Sequence, residues 1–233
     1  PTVVAYADTL IRANLKLDPE ADAVIWVKQV DQPEAFGVVE LNSSNSIVNL
    51  VEKPQKFVSD LAVIGIYYFK EIERLKKALE KVVSKKLEKG KEYQINEGIL
   101  AMMEEGAVFK PGTVTNWMDC GNPEVTLHTN TEMLIIKHKE GNELIDPTAQ
   151  IENSTVIPPC FIGKGVRIVD STVGPGVSIG EETRIQNSTL KHSLIQKHST
   201  IIDLNCEKAM IGNHAHYNGN PTFVSIGDYS ELK

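Results

Sequence analysis

The chain has 233 residues, 41% of them hydrophobic and 6% aromatic, which is enough apolar material to bury a core in one or two domains. Its formal net charge of −7 excludes a general binding surface for nucleic acid or anionic membrane, although a phosphate pocket needs only a local positive group. Three scattered cysteines, Cys120, Cys160 and Cys206, argue against a disulfide framework or metal cluster and for a reducing, cytoplasmic setting. No apolar run reaches membrane-spanning length, and no charged-then-apolar leader opens the chain, so solubility is expected. The start at Pro1, directly in an apolar run, leads us to expect a processed or cut piece.

Residues 2–7 (TVVAYA) are a β-branched and apolar run that ends at Asp8. Residues 9–17 are expected to be helical, which makes a strand–turn–helix unit. Asp8 then has two readings, a helix N-cap or a functional carboxylate at the end of a strand. Residues 23–30 (AVIWVKQV) read as a buried strand in which Trp26 fills the core. Residues 36–41 and 47–51 are strands parted by Asn42-Ser43-Ser44-Asn45-Ser46, a cluster of turn formers, so a hairpin is expected. It presents Glu52-Lys53-Pro54 where the proline, lacking an N–H, stops further pairing. From residues alone, Glu52 and Lys53 are either an exposed edge pair that discourages aggregation or ligand contacts. Residues 62–69 form a third β-rich run.

The spacing of Ile72, Leu75, Leu79 and Val82 predicts an amphipathic helix over 70–89, closed by Lys89-Gly90. A helix over 96–105, strands over 107–110 and 115–120, and a helix over 122–139 follow. Alternation of strand and helix argues for a Rossmann-like α/β sandwich. Beyond Gly141 the pattern changes. Aliphatic residues recur every five or six positions, from Ile151, Ile157 and Ile162 through Ile168, Val173 and Ile179 to Ile201, with glycines between them. This hexapeptide repeat predicts a left-handed parallel β-helix whose triangular coils take about 18 residues each, every aliphatic residue facing the axis. Five-residue gaps require tightened corners. The domains are therefore expected at 1–141 and 142–233, and the flat faces of such a coil favour a homo-oligomer. The tail with His214, His216 and Ile226-Gly227 reads as a last irregular coil or cap.

Four short patterns in one order resemble the sugar-1-phosphate nucleotidylyltransferases. Phe36-Gly37-Val38-Val39 is similar to that family's Tyr/Phe-Gly-Val-Val, Val51-Glu52-Lys53-Pro54 to its V-E-K-P, Ile64-Gly65-Ile66-Tyr67 to its next core strand, and Trp117-Met118-Asp119-Cys120-Gly121 to its W-x-D-x-G. The resemblance covers residues 2–139. It implies attack of a sugar-1-phosphate oxygen on the α-phosphorus of a nucleoside triphosphate with release of pyrophosphate, driven by positioning and electrostatic stabilisation. It further implies Asp8 and Asp119 as magnesium ligands and Lys53 as the ammonium on the sugar phosphate. Glu52 is then the acceptor of sugar hydroxyls, Gly37 and Gly65 are points of close backbone approach, and Trp117 is a wall beside Asp119.

Two departures stand out. Ala7 occupies a position where the family usually has Gly, and the family's glycine-rich G-G-x-G-T-R-L loop occurs nowhere in the sequence. A sugar-phosphate and metal half-site without turnover is therefore expected of this chain, while the intact protein is expected to be an active nucleotidyltransferase. The nucleotide base and the sugar stay open, with glucose-1-phosphate and dTTP or UTP as the first guess. Two other readings stay open. One is an acyl- or acetyltransferase in the repeat domain, using His192, His198, His214 or His216 as general base. The other is a non-catalytic homologue that binds sugar nucleotide and regulates a partner.

Overall fold

The computed structural model describes residues 1–13, 15–84 and 93–219. The chain divides into two compact units, Pro1–Asp119 and Cys120–Lys233. The expected end of the first amphipathic helix at Lys89-Gly90, and the tail with Ile226-Gly227, lie outside the described residues. Among the described residues no helix is long and apolar enough to cross a membrane.

The first unit is a mixed sheet of Rossmann-like α/β design. Its strands are β1 (Thr2–Ala5), β3 (Ala23–Gln29), β4 (Gly37–Leu41), β5 (Ile47–Glu52), β6 (Leu61–Phe69) and β7 (Phe109–Thr113), in the spatial order β1-β6-β3-β7-β5-β4. Only β3 and β7 pair in parallel; the other neighbours are antiparallel. The helices α1 (Ile72–Val83) and α2 (Ile95–Glu104) cover one face. A two-stranded ribbon of β2 (Thr9–Arg12) and β8 (Asn116–Asp119) covers the other.

This double covering explains why β3 reads as an unbroken apolar run. The two-residue period sends Ala23, Ile25 and Val27 to the core under the helices, and Val24 and Trp26 to the core under the ribbon. Trp26 is 2% exposed, the core filler its sequence suggested. A Cβ at Gly112 on the neighbouring strand would come within 2.6 Å of its indole, so that glycine makes room for the ring.

The expected helix over 9–17 does not form. Thr9–Arg12 is a strand, antiparallel to β8, with Thr9 opposite Asp119 and Ile11 opposite Trp117. Its residues alternate between half-buried and exposed, the period of a strand lying on a core. What makes these residues a strand is pairing with a segment more than a hundred residues away, which no local pattern reveals. The N-cap reading of Asp8 fails with the helix.

The hairpin at 36–52 forms as expected. Its turn is held by Asn42, whose Oδ1 accepts the N–H groups of Ser44 and Ser46 at 3.0 and 2.9 Å, while Asn45 takes a φ of 54°. The expected helices over 96–105 and 122–139 appear as α2 and as α3 (Pro123–Lys139), the latter N-capped by the Asn122 side chain.

In the second unit α3 precedes a parallel β-helix of about four coils built on three ladders. The coil is shorter than the expected 18 residues. Gln150 lies opposite Arg167 and Arg167 opposite Arg184, seventeen residues apart, whereas Arg184 lies opposite Thr200 and Thr200 opposite His216, sixteen apart. The corner spanned by Gly174-Pro175-Gly176 in one coil is made with one residue fewer in the next, where His192 turns at a φ of 43°. Ile168, Ile185 and Ile201 stack in register on the axis with no exposed surface.

Ile157, expected on the axis, is 38% exposed; Val156, paired with Val173, faces inward instead. A one-residue slip at the opening coil moves the side chain to the other face. Corner hydroxyls satisfy the backbone between coils: the N–H groups of Ser171, Ser188 and Leu204 donate to Ser154, Ser171 and Ser188 Oγ respectively, at 2.9, 3.0 and 3.1 Å. The three cysteines are all free thiols.

Candidate functional site

The segment between β1 and β2 is tied to β6 at two points. The Tyr6 N–H donates to Gly65 O at 2.9 Å, and Thr9 Oγ1 donates to Ile64 O at 3.0 Å. Asp8 lies between these anchors, and because Thr9 pairs with Asp119, the two aspartates fall at the same end of the β2–β8 ribbon. The hairpin reaches the same place from another direction. Gly37 pairs with Glu52 across the β4–β5 register, and Val38 bridges Ala62 at the start of β6.

These elements enclose a cavity of about 360 Å³ lined by Asp8, Gly37, Glu52, Gly65, Trp117 and Asp119, together with Tyr6, Thr9, Phe36, Tyr67 and the 93–96 segment before and at the start of α2. Six of the seven residues singled out from the sequence meet there. Lys53 is not among the lining residues. It follows Glu52 at a φ of 42°, exposed, with its N–H donating to Phe36 O at 3.0 Å.

The two glycines have specific neighbours. A Cβ on Gly37 would stand 2.8 Å from Glu52 Oε2, so the missing side chain is what lets that carboxylate lie across the hairpin. Gly65 has a φ of +74°, and a Cβ there would meet the Tyr6 ring at 2.8 Å. Gly65→Ala is expected to cost about 1–3 kcal/mol through left-handed strain and displacement of Tyr6. A urea midpoint unchanged from wild type would show that Tyr6 moves aside freely.

Trp117 stands edge-on to Phe36, ring centroids 5.1 Å apart at 71°, and its Nε1 is buried without a hydrogen-bond partner among the described residues. Tyr6 and Tyr67 pack with centroids 5.8 Å apart. Burial, the adjoining Tyr6 and the Glu52 charge hold the Tyr67 hydroxyl protonated far above the usual phenol range. Tyr67 is therefore a neutral hydrogen-bonding group at any physiological pH.

Sequence reasoning missed Asn96, whose Nδ2 donates to Glu52 Oε2 at 3.1 Å, and the Tyr6–Tyr67 pair. Tyr67 lay within a quoted motif; nothing local marks Asn96, 44 residues from the acid it touches. The histidines of the repeat are placed by coil geometry. His198 and His214 stack at successive corners, centroids 4.9 Å apart, and His192 Nδ1 is 3.4 Å from Thr131 Oγ1 on α3. Among the described residues no group of three or more His, Cys, Asp or Glu is arranged to hold a metal ion.

The family model described as nucleotidyl transferase matches residues 3–134. The chain is 27% identical to a glucose-1-phosphate thymidylyltransferase of Streptomyces griseus, over 91% of this chain and 64% of that protein. It is 29% identical to the protein of the same description from Streptomyces antibioticus, over 99% of this chain and 68% of the other. A mannose-1-phosphate guanylyltransferase catalytic subunit beta from Drosophila pseudoobscura pseudoobscura is 31% identical over 63% of this chain and 37% of its own. The chain thus spans about two thirds of the length of the first two relatives.

Proposed function

The chain belongs to the nucleotidyl transferase family, and from that membership we propose that its first unit binds a sugar-1-phosphate for nucleotidyl transfer, a nucleoside triphosphate being the second substrate. The observation that carries the reading is the meeting of Asp8, Glu52 and Asp119, from three separate parts of the chain, around one cavity with two glycines whose missing side chains shape it. Glu52 accepts hydrogen bonds from sugar hydroxyls. Lys53, one residue beyond it, brings an ammonium on a four-carbon stem to the phosphate, a role that suits a point charge needing no bidentate geometry. Trp117 and Phe36 form an apolar wall.

Asp8 and Asp119 fit a magnesium ion. They are hard oxygen donors at one end of the β2–β8 ribbon, and magnesium is satisfied by one or two carboxylates with water and phosphate oxygens, so a larger ligand cluster is not required. When bound, the ion supplies positive charge against the phosphate oxygens. The residues of the chain orient the sugar, so that its phosphate oxygen is aligned for in-line attack on the α-phosphorus. The relatives' printed names differ in both sugar and nucleotide, which leaves the choice of each to experiment. We extend the proposal to self-association through the β-helix faces and to a cytoplasmic, non-membrane setting.

The test is calorimetric titration of this chain with glucose-1-phosphate, with and without Mg2+, beside an assay for pyrophosphate release when a nucleoside triphosphate is added. Saturable, Mg2+-dependent binding without turnover is the expected result, since no Gly-Gly-x-Gly-Thr-Arg-Leu loop is present to hold a triphosphate. Failure to bind glucose- or mannose-1-phosphate at millimolar concentration overturns the proposal. Release of pyrophosphate overturns the half-site part of it.

A further inference from the structure

We infer that Asn96 is a positioning residue for sugar recognition, acting by holding the Glu52 carboxylate in place; the inference rests on the sugar-phosphate reading of the cavity. Glu52 ends β5 and is exposed, with three rotatable bonds and no burial to fix them. A free glutamate at a strand end loses conformational entropy on meeting a ligand, on the order of 1–2 kcal/mol for the side chain, and binds correspondingly less tightly.

Two features of the fold remove that freedom before any ligand arrives. Gly37, directly across the hairpin, leaves the space in which the carboxylate lies, within 2.8 Å of where a Cβ would stand. Asn96, the second residue of α2, donates Nδ2 to Oε2 at 3.1 Å. Oε1 has no hydrogen-bond partner among the described residues, so one oxygen is occupied by the protein and the other remains to accept a hydroxyl.

The choice of amide suits the task. Asn96 is a neutral donor, so it anchors the carboxylate without cancelling the charge that strengthens a hydroxyl's hydrogen bond to it. A lysine or arginine in its place would neutralise Glu52, and an aspartate would repel it. Asn96 also lines the cavity itself, and the N-cap of α2, Gln94, makes no capping bond through its side chain. The start of the helix therefore contributes a side chain toward the site while its own end is left uncapped by one.

The experiment is titration of the full chain with glucose-1-phosphate in Mg2+ for wild type, Asn96→Ala, Asn96→Asp, Glu52→Ala and the Asn96→Ala/Glu52→Ala double variant, with thermal midpoints recorded for each. Asn96→Ala is expected to weaken binding about five- to tenfold, somewhat below the usual worth of a hydrogen bond to a charged group because Glu52 is exposed to water, and Asn96→Asp more. In the Glu52→Ala background the Asn96→Ala change should have less than a twofold effect, because the group it positions is gone. A purely structural Asn96 would give the same loss in both backgrounds, and that result overturns the inference. So does unchanged binding by Asn96→Ala and Asn96→Asp. A wild-type chain that binds no sugar-1-phosphate overturns this inference and the parent reading together, whereas a binding wild type with an indifferent Asn96 overturns this one alone.

Discussion

Asp119→Asn, and separately Asp8→Asn, should each weaken Mg2+-dependent binding of glucose-1-phosphate by about 30- to 100-fold, or roughly 2–3 kcal/mol. The two side chains are the acids at one end of the β2–β8 ribbon, with Thr9 opposite Asp119 and Asp8 next in sequence, and both line the cavity. Amide for acid keeps the size and removes one unit of negative charge from a pair that must hold a divalent cation with few other protein ligands. The sign of the effect depends on the metal. With Mg2+ withheld, the same variants should bind the sugar phosphate as well as wild type or better, because each removes a carboxylate that repels the phosphate. The double variant should lose little more than either single one, since the two acids hold one ion and their effects do not add. Calorimetry of the two single variants and the double variant in Mg2+ and in chelator gives all of these comparisons. Weaker binding in both conditions would assign the acids to the sugar rather than to the ion, and unchanged binding in Mg2+ would remove them from the site.

How much of this was legible in the residues depends on how local the determining interactions are. The hairpin could be read because everything that makes it is contiguous: two β-branched runs, a turn whose Asn42 side chain caps its own loop, and a proline that ends the pairing. The amphipathic spacing of Ile72, Leu75 and Leu79 is equally local, and it sets α1 under the sheet. The segment after Asp8 was misread for the opposite reason. Thr-Leu-Ile-Arg carries no strong preference of its own, and what makes it a strand is a partner at 116–119. The repeat was legible in kind and not in register. A period of five or six residues fixes a coil, but whether Val156 or Ile157 faces the axis depends on pairing with Val173 in the next coil, and two adjacent aliphatic residues offer no internal sign.

The site divides along the same line. Glu52, Gly37, Asp119 and Gly65 sit in short motifs whose order along the chain carries their resemblance, and they were found. Asn96 and Tyr6 act through contacts made across elements, Asn96 on a residue of the hairpin and Tyr6 on a glycine of β6, so only folding reveals them. Lys53 belongs to a motif and yet stands outside the lining of the cavity, because a φ of 42° carries the chain out of the β5 line immediately after Glu52. Glu52 and Lys53 therefore leave the strand end differently, the acid across Gly37 and the lysine on a left-handed backbone at an exposed position.

In the β-helix, Ile185→Ala should destabilise the second unit by about 3–5 kcal/mol, the upper part of the range for a buried large-to-small change. Ile185 is fully buried and sits in the middle of a column, with Ile168 in register in the coil before it and Ile201 in the coil after. Those neighbours are fixed by parallel pairing and by serine hydroxyls that accept backbone N–H groups of the following coil, so the walls of the new cavity have little room to collapse. Ile151, at the first coil of the same column, is 40% exposed and has a coil on one side, paired through Ile168. Its replacement by alanine should cost about 1 kcal/mol or less, because most of the removed surface was already in contact with water. The contrast is read by urea unfolding of both variants, followed by far-ultraviolet circular dichroism with a separate fit for each transition. Equal losses at the two positions would mean that the column does not act as a stack of coils whose interior members are held from both sides. A small loss at Ile185 alone would mean that the coils close around the missing atoms, and the fixed corners described here would not be what keeps the axis rigid.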